Sequence, residues 1–221
     1  MTSMIDRLPT GIDSLDRLLD GGIPRGSLVK LAAPPNSQAE ILIHEMVAAR
    51  PTVYLTTMRP APAVRDSLDR AGVPPDGVAV KEFGPASSAQ AAAGAPSMLR
   101  EAIALIDEIP PETTVVVDPV DVFEWAETDD YLGFLNDLSG VLTRTNSIGV
   151  LHCLDGQAVP DHRDVTDYVA DIAFQLSADV TDDGIDTRLS VPKFRGRSAP
   201  QETVKLDLSG GITVDLSRNI A

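Results

Sequence analysis

Cysteine occurs once in the sequence, at Cys153, so no internal disulfide can staple the chain and its core must hold the fold. That thiol lies in the apolar run Ile148–Leu154 and is expected to be buried rather than reactive. No apolar run approaches the ~18 residues of a membrane-spanning helix, and no charged-then-apolar leader is visible. The expected compartment is the cytoplasm. Basic residues are scarce: 18 Lys and Arg stand against 33 Asp and Glu, and lysine occurs only at Lys30, Lys81, Lys193 and Lys205. A net charge of −15 repels a nucleic-acid backbone over most of the surface, which disfavours nucleic acid as a partner. His44, His152, His162 and Cys153 share no metal-ligand spacing, so no metal site is expected. No nucleophile elbow or Ser/His/Asp order is present either.

What is there suits one globular domain. An apolar fraction of 43% in 221 residues supplies one sizeable core. The acidic excess fits either a surface that seeks a basic partner or a surface adapted to high salt, where charge repulsion is screened within a few ångströms. The acids are spread along the whole chain, which favours the second. The composition is similar to that of salt-loving archaeal proteins.

Apolar, β-branched runs alternate with helix-periodic stretches. The predicted strands are Ser27–Ala32, Thr52–Thr57, Val78–Phe83, Thr113–Asp118, Ser147–Cys153 and Asp171–Leu176. Leu99, Ala102, Ile103, Ile106 and Ile109 share one helical face, as do Tyr131, Phe134, Leu135, Leu138, Val141 and Leu142. This alternation predicts right-handed βαβ units and a largely parallel sheet. After residue 170 the period changes to two, in Asp186–Val191, Glu202–Leu208 and Ile212–Leu216, which predicts antiparallel hairpins on one sheet edge. Residues 84–97 are small and polar and read as a mobile loop inside the domain. The division expected is a lead-in segment (1–26), an α/β core (27–178) and C-terminal hairpins (179–221).

The run LPTGIDSLDRLLDGGIPRGS, Leu8 to Ser27, resembles the segment that leads into the first strand of RecA-superfamily proteins of the KaiC-like branch. Elements in register with that family continue to the C-terminus. The resemblance implies a three-layer α/β/α RecA-like fold. It also places a phosphate loop at Ala33-Pro-Pro-Asn36-Ser37-Gln38-Ala39-Glu40, where active members carry Gly-x-x-x-x-Gly-Lys-Ser/Thr. Here Ala33 and Gln38 replace the glycines, Ala39 the lysine and Glu40 the hydroxyl. The cation facing the phosphates is gone, and so are the residues most tolerant of the backbone angles that turn amides inward. Ser37-x-x-Glu40 fits a helix capping box, in which Glu40 would take the helix N-terminus that a phosphate takes in relatives.

The resemblance also locates the other working positions. Met58 and Arg59 stand where a glutamate pair would supply a general base, and neither accepts a proton at neutral pH. Asp118 ends a strand in the manner of a Walker B aspartate, and equally in the manner of a cap or turn former. His152 matches a sensor position, or is a hydrogen-bonded structural histidine. Lys193-Phe-Arg195-Gly196 resembles the finger that KaiC-like subunits extend into a neighbour's site, or is a basic edge that deters strand pairing. The function expected is that of a pseudo-ATPase with no catalytic residues and no cofactor, regulating or scaffolding a protein partner. That partner could be an intact RecA-like ATPase or a second copy. The alternatives are an ATP·Mg-binding switch completed by a neighbour's Lys193 and Arg195, and a DNA-associated recombinase-like protein.

Overall fold

Strand alternation and helix periodicity build two apolar layers on one sheet. The computed structural model describes residues 6–83, 95–182, 184–207 and 213–215. A short antiparallel ribbon comes first, β1 (Arg7–Leu8) against β2 (Ile23–Pro24), with α1 (Asp13–Leu18) between its strands. The turn into β2 requires glycine: Gly22 has φ +114°, and a Cβ there would sit 2.3 Å from the Leu8 carbonyl oxygen.

The core then runs β3 (Leu28–Ala33), α2 (Ala39–Ala48), β4 (Thr52–Thr56), α3 (Ala61–Arg70), β5 (Val78–Glu82) and α4 (Ala95–Ile106). It continues through β6 (Thr114–Asp118), α5 (Asp121–Glu124), α6 (Thr128–Thr145), β7 (Ile148–Leu154), α7 (Arg163–Val169) and β8 (Ile172–Thr181). The hairpin strands are β9 (Gly184–Phe194), β10 (Val204–Asp207) and β11 (Thr213–Asp215). Among the described residues the main sheet has the order β11-β10-β9-β8-β3-β7-β6-β4-β5. The strands from β8 to β5 are parallel, and β9 to β11 extend the sheet antiparallel beyond β8.

Period-two alternation divides each strand between two cores. Val29, Leu31, Tyr54, Val116 and Val150 face α1, α2 and α3. Leu28, Ala32, Leu55, Val117 and Leu151 face α4, α5 and α6. The apolar face read on 131–142 is the buried face of α6, and that helix ends on Asn146 in the left-handed conformation. Helix α6 comes unusually near the sheet over Gly149, where an added Cβ would lie 2.7 Å from Leu28 Cδ1 and 2.8 Å from Leu142 Cδ1.

The six predicted core strands and the three C-terminal strands are present with shifts of a residue or two at most ends. The larger difference is the hairpin: β8 runs on to Thr181 rather than stopping at Leu176. Its partner β9 continues the ladder past the sheet, up to the Thr181↔Gly184 pair. Of the loop expected at 84–97, residues 84–94 lie outside the described residues, and the chain is helical from Ala95. The connection between the last two expected strands, 209–211, also lies outside them.

One buried polar system was not expected. Arg163 on α7 donates through Nε to the two Glu124 oxygens at 2.9 and 3.0 Å, through Nη2 to Asp121 Oδ1 at 2.8 Å and through Nη1 to the Leu154 carbonyl at 3.0 Å. Asp121 Oδ2 accepts from the Leu154 amide at 3.0 Å, and the Thr166 hydroxyl donates to Glu124. Burial raises the Glu124 pKa, while Thr166 and Arg163 pull it back down. The network ties α5 and α7 to the end of β7. Removing one member of a buried ion pair strands its partner, so Arg163→Ala is expected to cost about 3–5 kcal/mol in urea-unfolding experiments. A loss below about 1 kcal/mol would show that the network is solvated.

Candidate functional site

In open parallel sheets, ligands sit at the carboxyl ends of strands whose following helices leave on opposite faces. The chain leaves β3 toward α2 on one face and β6 toward α5 and α6 on the other. The crevice at this edge is where residues 33–40, the expected phosphate loop, come near Asp118.

Asp118 is buried at the end of β6, on the α2 face, beside the last residues of β4 and β7. Both of its carboxylate oxygens are already bonded. Tyr54 Oη on β4 donates to Oδ2, and His152 Nδ1 on β7 lies 2.5 Å from Oδ1. Burial alone would raise the Asp118 pKa, but the bonds from His152 and Tyr54 outweigh it and hold the carboxyl below its ordinary range. Tyr54 responds the opposite way: burial first, then the neighbouring carboxylate, push its hydroxyl well above the usual value. The second nitrogen of His152, Nε2, is buried and has no hydrogen-bond partner among the described residues. Three strands are thus cross-linked through one carboxylate.

The loop preceding α2 is a closed turn. The Ser37 amide and hydroxyl both donate to the Pro34 carbonyl, at 2.9 and 2.7 Å. No residue from Ala33 to Glu40 has positive φ, so the αR–αL alternation that makes an amide nest for an anion does not form. The capping box expected at Ser37 and Glu40 is likewise absent. Gln38 is the residue before the helix, and no side chain caps its amides. The physical reason is register: α2 starts at Ala39, so Gln38 rather than Ser37 holds the cap position and Glu40 is the second helical residue rather than the third. Glu40 does remain in the first turn of α2, where a carboxylate complements the helix dipole. One turn further on, burial lowers the pKa of His44, and the Glu40 charge opposes that shift.

The remaining expected positions fall as follows. Asn36 and Gln38 are exposed, and Ala33 and Ala39 are buried. Met58 is solvent-exposed after β4, and Arg59 bends back so that its guanidinium donates to the Ala63 carbonyl at 3.4 Å. Lys193 and Arg195 are brought together, but away from this crevice. Lys193 donates to the carbonyls of Asp167 and Tyr168 at 2.6 and 2.9 Å. Arg195 donates to those of Tyr168 and Val169 at 2.9 and 3.1 Å and pairs with Asp171 at 2.7 Å. Both therefore complement the negative end of α7. The register Phe194↔Ile172 and Ile172↔Val29 places them at the amino-terminal edge of the sheet. That is about 13 Å from the phosphate loop by strand rise alone.

Sequence reasoning missed Tyr54 and His44. Tyr54 lies in an apolar strand and His44 in an apolar helix, so neither was assigned a part in the site. The signal available was the alternation Thr52-x-Tyr54-x-Thr56, which puts polar atoms on the face that also carries Asp118. Among the described residues no group of three or more His, Cys, Asp or Glu is placed to hold a metal ion, and no helix is long and apolar enough to cross a membrane.

The element order and sheet topology are those of a KaiC-like α/β fold of the RecA type. The crystal structure of a KaiC-like protein from the hyperthermophilic archaeon Pyrococcus horikoshii superposes with a TM-score of 0.75 at 15% identity, over 96% of this chain and 99% of that one. Residues 7–221 match a family described as a family of unknown function, DUF7125, and the chain belongs to it. It is also similar to the DNA repair protein RadA of Mycolicibacterium smegmatis, 30% identical over 140 residues that make up 61% of this chain. RadA of Mycobacterium tuberculosis is 30% identical over 138 residues. The chain spans 27% and 26% of those two relatives' own lengths.

The Asp118 geometry has a pH signature. A carboxyl held below its unfolded value near 3.9 contributes stability that is present above that pH. The contribution is lost as pH falls through the lower folded value. Asp118→Asn is therefore expected to be less stable than the native chain at neutral pH, with the gap closing under acid in urea titrations at stepped pH. A gap that stays constant below about pH 4 would refute the charged pairing.

Proposed function

We propose that this chain is a pseudo-ATPase: a KaiC-like domain that regulates or scaffolds a protein partner without turning over nucleotide. The observation that carries the reading is the closed state of Asp118. Its two oxygens are occupied by Tyr54 and His152, in a site whose loop lacks the lysine, the hydroxyl and the amide nest. Phosphoryl transfer depends on positioning and charge neutralisation, and neither has a donor here. The partner is either an intact RecA-like ATPase or a second copy, met through protein surface. The dispersed acidic excess supports a cytoplasm of high salt. ATP and Mg²⁺ would enter only if a neighbour's Lys193 and Arg195 completed the site.

Calorimetry with MgATP in molar potassium chloride is expected to show no binding at micromolar ligand, and micromolar affinity would overturn the reading. In the triple variant Gln38→Gly, Ala39→Lys, Glu40→Thr, measurable phosphate affinity is expected to return. Undetectable binding in that variant would put the closure at Asp118 and Tyr54 instead of the loop.

The similarity to RadA favours a second reading, a DNA-associated protein. The net charge of −15 opposes it. Single-stranded DNA binding that weakens steeply with added salt would support it, and no retention at low salt would end it.

A further inference from the structure

A cavity of about 170 Å³ opens at the amino-terminal edge of the sheet, between the β1–β2 ribbon and the end of β9. Arg7, Arg195, Arg197, Phe194 and Asp171 are among its walls. Three guanidinium groups around one small cavity are unexpected in a chain of net charge −15.

The charges there do not balance. Arg195 is neutralised by Asp171 at 2.7 Å. Arg197 pairs with Asp20, but its Nε is buried without a hydrogen-bond partner. Arg7 donates to the Gly22 carbonyl at 3.0 Å and has no carboxylate partner among the described residues. Arg7 and Arg197 both lie over the Phe194 ring, with guanidinium carbons 5.6 and 4.0 Å from its centroid. Two like charges therefore flank one ring and share one carboxylate, Asp20. Burial, and next the Arg197 charge, lower the Arg7 pKa, while Asp20 opposes them. Arg197 spends its two Nη groups on Asp20 and on the Leu18 carbonyl at 3.4 Å, which leaves Nε, while Arg7 spends one Nη on Gly22.

We propose that the cleft between Arg7, Phe194 and Arg197 is an oxyanion site that takes a phosphate group, either free or carried on a small nucleotide. The free N–H groups of Arg7 and the unpartnered Nε of Arg197 can donate to the oxygens of one phosphate, and a dianion would supply the negative charge that Asp20 alone does not. The site is separate from the phosphate loop, at the opposite edge of the sheet, and does not depend on the pseudo-ATPase reading.

Titration calorimetry with inorganic phosphate, at ionic strength fixed by potassium chloride, tests it on the full chain. The native protein is expected to bind phosphate in excess of a chloride control. Arg7→Gln should weaken that binding at least tenfold, while Arg144→Gln, at an exposed pair with Asp107, should leave it unchanged. Arg7→Lys keeps the charge but not the fork, and should also lose most of the affinity. It decides the matter if circular dichroism shows Arg7→Gln to be unfolded. Adenosine monophosphate is the second arm: uptake with the same Arg7 dependence identifies a nucleotide-borne phosphate, and no uptake identifies the free anion. The proposal fails if native protein binds no phosphate beyond the control, or if the folded Arg7 variants bind it as the native chain does. Heat from MgATP that survives Arg7→Gln reports the phosphate loop, and heat lost with Arg7 reports this cleft.

Discussion

A carboxylate buried at the end of a parallel strand must be given donors or neutralised, and in this fold Asp118 is given two from the protein itself. Tyr54 and His152 come from the strands on either side, so the bond pattern fastens β4, β6 and β7 at the edge where the chain could otherwise open. The same bonds give each carboxylate oxygen a donor from the protein. A tyrosine within reach serves the core as an apolar body and the carboxylate as a hydroxyl.

The segment that leaves β6 serves both faces of the sheet within a few residues. Asp118 turns toward α2, and Asp121 and Glu124 turn toward α6 and α7, where Arg163 holds them. Thr57 links the two sides at the edge: its amide donates to the Asp118 carbonyl and its hydroxyl to that of Pro119. Polar groups buried on this scale must be satisfied together, because each unpartnered member costs more than its bond returns. The exit of β6 is accordingly the most constrained stretch of the carboxyl edge.

Much of the fold was legible because it rests on periodicity. Strand and helix spacing gave the parallel core and the antiparallel extension, and the apolar face of 131–142 was the one that is buried. The candidate site was less legible. That residues 33–40 hold no glycine and no lysine could be read directly, since absence of a residue type is visible in a string of letters. The capping box failed because α2 begins at Ala39, which puts Gln38 and not Ser37 at the cap position, a boundary that the Ser-x-x-Glu spacing does not fix. Tyr54 and Arg163 were missed for a related reason. Each meets its partners across long sequence separations, 64 residues to Asp118 and 39 to Glu124, and no local pattern marks such pairs.

The placement of Lys193 and Arg195 carries a consequence for how molecules of this shape can join. They lie at the amino edge of the sheet, and the degenerate loop lies at the carboxyl edge of the same sheet. No single molecule can bring its own two edges together, so a contact between them has a direction, from one molecule's tail to another's head. A row built by such contacts would be polar, with the 33–40 segment at one end of every molecule and the Lys193–Arg195 pair at the other.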